Sequence, residues 1–466
     1  MSKPTFFFYD LETSGLSSSS DRIMQFAGQR TNVDLEEIGK PFNIVVKLDN
    51  DTLPSPSAIL TTKITPQFTI ENGVQENELA KILSTEVFTP DTIILGFNSI
   101  RFDDKFIQHL FWRNFYDPYE WQWRDGRSRW DMLDVVRMTR ALRPEDINWP
   151  TTDEGKPTNR LELITKLNHI SHESAHDALS DVTALIDVTR LIKNKQPKLF
   201  NYLLKMRDKR EVKSLVNLEK PVPFVYSSGK YGSNYNFTTV AFPILPTRNG
   251  NILVYDLRYN LDELIENAKG EDNLNLKMIS PIIKEFAFNR CPAVAPLSVL
   301  DSKNSWEKIS LNKETIEKNL DSLKKHTKLL QKLKEEDQKR EPIKPGPDPE
   351  SSLYSSFVPD ADKIRLTAVR ESDADKLADF HPNFIDERLP ELLLHYKAKN
   401  FPTSLSKQET EKWEEYRRNR LNHQAPIFLT ELQKYQSDKS IINDSNKAYL
   451  LEELHLWYES LSEVDY

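Results

Sequence analysis

The sequence predicts an N-terminal α/β domain, a small β-rich domain in the middle and an all-helical C-terminal segment. Three observations carry this reading. From residue 5 to residue 192, short unbroken apolar runs alternate with helix-periodic stretches. After Pro197 the texture turns β-rich. Beyond a stretch with four prolines and a glycine, residues 341–350 (EPIKPGPDPE), everything periodic reads as helix, so that stretch is the expected linker.

Taken in order, residues 5–9 are short, aromatic and unbroken, as a buried strand requires, and residues 42–48 and 92–97 read the same way. Residues 102–115 have helical spacing, with Phe102, Phe106, Leu110 and Phe111 on one side. Residues 132–142 and 161–167 are further helices, and 178–192 places Val182, Leu185 and Ile186 on one stripe. In the middle domain, 222–226, 238–245 and 252–257 read as strands, with Asn249-Gly250 as a hairpin turn between the last two. Residues 312–340 form a charged helix with Ile316, Leu320, Leu323 and Leu330 as its apolar stripe. Past the linker, Phe384, Ile385, Leu389, Leu392, Leu393 and Tyr396 share a face. Ser406 and Glu409 make a capping box for a helix through Trp413 and Tyr416, and 449–461 is a last amphipathic helix. No internal repeat is present.

A chain of 466 residues corresponds to about three domains. With 38% hydrophobic and 29% charged residues, wholesale disorder is excluded. The single cysteine, Cys291, excludes an intramolecular disulfide framework and a thiolate metal cluster, and fits a reducing cytoplasmic setting. No run approaches the roughly 20 apolar residues of a spanning helix, and Phe6-Phe7-Phe8-Tyr9 is too short for a secretory core. The net charge of −8 by itself argues against a polyanion partner. Residues 198–230, however, hold eight basic and three acidic side chains, a local balance of +5.

Three acidic motifs carry the chemistry. Asp10 and Glu12 follow the first strand, and in extended backbone residues i and i+2 project to one side. They therefore present paired carboxylates at the C-terminal end of a strand, where open α/β sheets place their sites. Paired anions there call for a hard cation such as Mg²⁺ or Mn²⁺. The bland alternative is two loop acids facing water. Asp103 and Asp104 open a helix after the strand 92–97, where acids also satisfy the helix dipole, the better account of Asp104. His176 and Asp181 sit at the start of the helix 178–192, where an ordinary capping segment with Asp177 or Ser174 as the cap is the alternative. A histidine there is suited to act as a general base.

The ordered set Asp10-x-Glu12, Asp103 and His176-x4-Asp181 resembles the histidine-bearing subclass of the DEDD-type 3′→5′ exonuclease superfamily. Longer strings are similar to bacterial exonuclease I: LGFNSIRFDD (95–104), FWRNFYDPYEWQW (111–123), SRWDMLDVVR (128–137), ALRPEDINWP (141–150), HDALSD, SLYSSFVPDADK (352–363) and FIDERLPELLLHYKAKNFP (384–402). The similarity spans nearly the whole chain and is weakest from about residue 225 to 345. It implies an α/β RNase H-like (exonuclease) domain over 1–196, an SH3-like β domain with helical extensions over 197–345 and a C-terminal all-α domain over 351–466. It further implies that Asp10, Glu12, Asp103 and Asp181 hold two Mg²⁺ ions, with Mn²⁺ able to substitute, and that His176 deprotonates the attacking water. The implied activity is processive 3′→5′ degradation of single-stranded DNA to deoxynucleoside 5′-monophosphates, in DNA repair and recombination. The implied partners are single-stranded DNA and the C-terminal tail of single-stranded DNA-binding protein; enclosure of the strand by one chain suggests a monomer, with no membrane.

For substrate grip, residues 111–130 hold Phe111, Trp112, Phe115, Tyr116, Tyr119, Trp121, Trp123 and Trp130, interleaved with Arg113, Arg124, Arg127 and Arg129. Aromatic platforms with basic partners suit unstacked bases and phosphates. Phe111, Phe115 and Trp130 read as core, whereas Tyr119 and Trp123, on a loop-like stretch, are the expected base contacts. Arg137 and Arg160 match basic positions of the family that face DNA, and Glu12 is expected to touch substrate as well as metal. Lys209 and Lys220 are the expected backbone contacts of the β domain, with solvated surface lysines as the alternative. Gln108 stands where a basic residue would fit the family role better. Two other functions compete: an RNA-trimming nuclease of the same superfamily, and a non-catalytic single-strand clamp, which the intact carboxylate set disfavours.

Overall fold

The computed structural model describes residues 4–172, 177–271, 274, 279, 281–339, 346 and 348–462. The chain divides into two compact units, one made of residues 1–127, 173–183 and 342–466, the other of 128–172 and 184–341.

In the first unit, β1 (Thr5–Thr13) lies antiparallel to β2 (Ile23–Thr31), and β2 pairs antiparallel with β3 (Glu37–Val45). On its other side β1 runs parallel to β4 (Thr92–Gly96). β1 is longer than its aromatic run foretold, because pairing continues through Asp10↔Ala27 and Glu12↔Gln25. The acids therefore belong to the strand itself. β2 was not foreseen. β3 begins at Glu37 instead of residue 42 because its first residues, Glu-Ile-Gly-Lys-Pro, are exposed, as the polar edge of a sheet can be.

Phe7, Tyr9 and Leu11 of β1 pack with Phe26, Leu79, Phe106 and Leu110. Phe106 and Leu110 come from α1 (Asp103–Arg113), which confirms the helical spacing of that segment. Its C-terminal end contributes Trp112 to another core, with Phe115, Leu353, Leu366, Leu389 and Tyr396. A further core joins Met24, Leu48, Leu53 and Ile59 to Phe428, Leu432, Leu450, Leu454 and Trp457. The first and last parts of the sequence thus fold as one body.

The helices of that last part follow after α2 (Ala178–Lys195) as α3 (Leu389–Asn400), α4 (Lys407–Gln436) and α5 (Ser445–Ser462). The capping box is present: Ser406 Oγ accepts from Glu409 N, and Glu409 Oε2 accepts from Ser406 N. Ile385 departs from the expected apolar face; it precedes α3 and is 59% exposed. Most of 341–350 lies outside the described residues, but its last residues are not linker. Pro349 O accepts from Trp112 Nε1 at 2.8 Å, and Glu350 is buried among Arg22, His395 and Lys399.

In the second unit β5 (Ser128–Asp131) leads into the helix Met132–Leu142, which Asp131 caps by accepting from Leu133 N. The β-rich part is an antiparallel sheet of β6 (Phe224–Ser227), β7 (Thr238–Pro246), β8 (Ile252–Asp256), β9 (Ile283–Phe286) and β10 (Ala293–Pro296), in the order β10-β6-β7-β8-β9. The Asn249-Gly250 turn joins β7 to β8 as expected, with Gly250 at φ +74°, a conformation glycine adopts without steric cost. The single helix expected over 312–340 is two, Lys313–Lys325 and Thr327–Gln338, broken at His326, whose Nε2 lies 2.7 Å from Asp262 Oδ1. No helix among the described residues is long and apolar enough to cross a membrane.

Candidate active site

Asp10 and Glu12 alternate with Tyr9 and Leu11 along β1, so they lie on the face continued from Phe6 and Phe8. Asp181 reaches the same place from the first turn of α2. Each of the three offers a carboxylate oxygen, and these oxygens lie within 4.8 Å of one another. The helix start is fixed locally: Asp177 Oδ1 accepts from Ser180 N at 3.1 Å, and Asp177 O accepts from Asp181 N at 3.0 Å. Asp177 thus acts as the cap that the bland reading gave it. It also contributes negative charge at Glu12.

The electrostatics are those of a site built for a cation. Burial pushes the Glu12 carboxyl up to about 9, and the like charges of Asp10, Asp181 and Asp177 add to it. Asp10 is also held well above the usual carboxylate range, by burial first and by Asp181 second. Two acids that resist ionisation beside a third carboxylate are costly alone and become favourable around a hard divalent ion. The donor set is all oxygen, which suits Mg²⁺ or Mn²⁺.

Asp103 is buried at the first residue of α1, next to Asp104. The parallel register Phe8↔Leu95 brings the end of β4 to the same end of the sheet as Asp10. Gly96 makes the turn that follows possible, since a Cβ there would sit 2.5 Å from Ser99 Cβ. Asp104 does more than satisfy a helix dipole: it is buried and accepts from Tyr9 OH at 2.5 Å, which ties α1 to β1 beside Asp10. His176 lies outside the described residues.

The expected substrate contacts fall in different settings. In the first unit, Trp123 is 63% exposed, while Tyr119 is partly buried and meets Phe357 edge-on at 5.7 Å. Phe111 and Phe115 are buried, as read, and so is Trp121, which stacks on Phe88 at 4.8 Å; Trp130, in β5 of the second unit, is buried as well. The interleaved arginines are largely structural. Arg113 pairs with buried Glu76, Arg124 with Glu120, and Arg127 donates to Phe88 O. Gln108 Oε1 accepts from Tyr354 OH at 2.6 Å. In the second unit, Arg160, Lys209 and Lys220 are exposed, whereas Arg137 is mostly buried, paired with Asp134 and set over the Phe237 ring.

A mixed sheet with clustered acids at a strand end, approached by a helix bearing another acid, is the arrangement of a metal-assisted phosphodiesterase, and residues 7–189 match the family described as "Exonuclease". Residues 207–336 match "Exonuclease I SH3-like domain" and 347–461 match "Exonuclease I C-terminal domain". The chain is 37% identical over 465 residues to "Exodeoxyribonuclease I" of Haemophilus influenzae, covering 97% of each. It resembles the crystal structure of Escherichia coli exonuclease I in complex with a dA16 oligonucleotide, with TM-score 0.89 and 34% identity, covering 98% of this chain and 100% of that one. A structure described as SSB/exonuclease I in complex with the inhibitor CFAM matches with TM-score 0.89 and 33% identity, covering 99% and 100%. The chain belongs to the exodeoxyribonuclease I family.

Proposed function

We propose that the chain is a Mg²⁺-dependent 3′→5′ exodeoxyribonuclease that degrades single-stranded DNA processively to deoxynucleoside 5′-monophosphates. The observation that carries the reading is the cluster of Asp10, Glu12 and Asp181 oxygens within 4.8 Å. Membership of the exodeoxyribonuclease I family supports the DNA substrate, and the oligonucleotide complex of the Escherichia coli protein supports a single strand.

In this reading Asp10, Glu12, Asp103 and Asp181 hold two divalent ions. Bound there, such ions would ease ionisation of the attacking water and would neutralise charge at the leaving 3′-oxygen. The chain's own residues do the rest. β1 and α2 fix the carboxylates before substrate arrives, so little reorganisation is needed at the moment of reaction. Glu12, neutral at pH 7 when no cation faces it, gives up its proton as a cation binds. His176 accepts the proton of the attacking water through its imidazole. Trp123 and Tyr119 offer faces to bases, and Arg137, Arg160, Lys209 and Lys220 serve phosphates.

The domains are taken as 1–196, 197–345 and 351–466. The protein acts as a cytoplasmic monomer in DNA repair and recombination, with single-stranded DNA-binding protein as a partner, in keeping with the described complex of its relative. The test is incubation with 5′-labelled single-stranded DNA and the matching RNA, each with Mg²⁺ and with EDTA. Stepwise 3′ shortening of DNA alone, dependent on Mg²⁺, is expected. Equal cleavage of RNA moves the assignment to an exoribonuclease, and binding without cleavage overturns the enzymatic reading.

A further inference from the structure

The connection from β1 to β2 leaves after Thr13, the residue next to Glu12, where the register shifts, and returns at Arg22. Its own bonds close it at the base. Ser14 N donates to Arg22 O at 2.9 Å, Arg22 N donates to Ser14 Oγ at 2.9 Å, and Thr13 Oγ1 donates to Gly15 O at 2.7 Å. A Cβ at Gly15 would fall 2.4 Å from Asp21 Oδ2 and displace that carboxylate, which accepts from Ser17 N at 2.7 Å. The far end of the loop is held from elsewhere. Ser20 O accepts from Arg22 Nη1 at 3.1 Å and from Arg420 Nη2 at 2.7 Å. Two guanidinium groups therefore converge on one carbonyl.

Arg420 belongs to α4, hundreds of residues away in sequence, and its side chain is only 9% exposed. Its guanidinium is aimed by three further groups. Nε donates to Asp51 O at 3.0 Å, and Nη1 lies 3.3 Å from both Asp348 Oδ2 and Tyr416 OH. Asp51 Oδ2 lies 3.4 Å from Arg420 Nε, 3.6 Å from Arg22 Nη2 and 3.0 Å from Lys399 Nζ. A planar fork fixed on several sides is a rigid strut, which a flexible lysine cannot reproduce.

We propose that Arg420 is a positioning residue for the reaction: acting from the C-terminal helical domain through the Ser20 carbonyl, it sets the β1–β2 loop and hence the placement of Glu12. This rests on the exonuclease reading above. The C-terminal domain is then part of the catalytic apparatus, in addition to whatever surface it offers to DNA. Small errors in placing a reacting group are expensive, so loosening the strut acts mainly on turnover.

The test uses the full chain and two variants. Arg420→Lys keeps the positive charge beside Asp51 and removes the fork. Lys397→Met breaks the ion pair of buried Lys397 with half-buried Glu409, 2.7 Å long, which weakens the α3–α4 layer without touching the loop. Arg420→Lys is expected to lower kcat on a single-stranded oligonucleotide about tenfold, with KM within about twofold of the parent. Hydrogen exchange is expected to speed up at the amides of residues 14–21. Lys397→Met is expected to lower the melting temperature while keeping kcat and the exchange of that loop. Unchanged exchange at 14–21 in Arg420→Lys overturns the proposal, as does an equal loss of kcat in Lys397→Met. If the parent protein cleaves no single strand, the exonuclease reading fails, and the exchange measurement still decides whether Arg420 sets the loop.

Discussion

Arg22 and Glu350, 328 residues apart, meet as a buried ion pair at 2.5 Å. Their side chains are 3% and 1% exposed. Lys399 and His395 complete the surroundings of the carboxylate, at 2.7 and 3.2 Å. Removing the Glu350 carboxylate takes away the nearest counter-charge of Arg22 and Lys399 and leaves only Asp49 and Asp51 to balance them. Glu350→Gln is expected to cost about 3–5 kcal/mol, seen as a lower midpoint of the first transition in denaturant unfolding. An unchanged midpoint would show that the cluster relaxes around the loss.

The same cluster sets a pH dependence. Burial alone would raise Glu350, but Lys399, Arg22 and His395 override it and hold the carboxyl well below its usual range. Asp51 is likewise depressed: burial raises it, and Lys399, Arg420 and Arg22 outweigh burial. Depressed carboxylates stabilise the fold above their unfolded value, about pH 4, and this contribution is lost as pH falls through the folded values. Asp49 has the opposite sign. Burial pushes it up to about 6 against the pull of Lys399, so its contribution declines as pH rises between its unfolded value and 6. Stability measured against pH should therefore show a steep acid limb, and Glu350→Gln should flatten it.

Two neighbouring tryptophans should behave in opposite ways. Trp121 is buried and stacked on Phe88, so Trp121→Ala should cost about 3–5 kcal/mol of stability. Trp123 is 63% exposed. Trp123→Ala should leave the melting temperature in place and weaken single-strand binding in EDTA by about 1–3 kcal/mol. Fluorescence anisotropy with a labelled oligonucleotide separates the two, and tight binding by Trp123→Ala would remove that residue from the substrate contacts.

Cation binding should displace protons. Glu12, pushed up to about 9, is protonated at neutral pH in the cation-free protein. Titration with Mg²⁺ at pH 7 should release about one proton from it, read by calorimetry in buffers of different ionisation enthalpy. Identical heats in every buffer would contradict the shift. Asp181→Ala should reduce turnover by more than about a hundredfold while leaving gel-shift binding of a single strand largely intact; full activity would remove Asp181 from the site.

The acids of the site were legible because their spacing carries geometry. Asp10 and Glu12 at i and i+2 had to share a face of a strand, and the structure adds Asp181 to them. The aromatic core residues Phe111, Phe115 and Trp130 were legible for the same local reason. What escaped was non-local. β2 has no clean alternation, since both its faces are covered, and the polar start of β3 looks like loop. Nothing near Arg22 points to Glu350, nor near Arg420 to Ser20, because ion pairs over such separations leave no periodic trace. The proline-rich stretch misled at its end for a related reason: composition reveals turns, but not that Glu350 is anchored beyond them.

The core shared by Met24, Leu48, Leu53 and Ile59 with Phe428, Leu450 and Trp457 has a consequence for synthesis. Met24, Leu48, Leu53 and Ile59 have no cover until the helices of the last part have left the ribosome. At about 5–20 residues per second that interval is on the order of half a minute. During it the nascent N-terminal region carries a finished sequence but an unfinished fold, and translating chains halted before residue 428 should be cut by protease within their first sixty or so residues, where released chains resist. Met24 of β2 is thus made early and covered late, so that at this core birth order and folding order run in opposite directions.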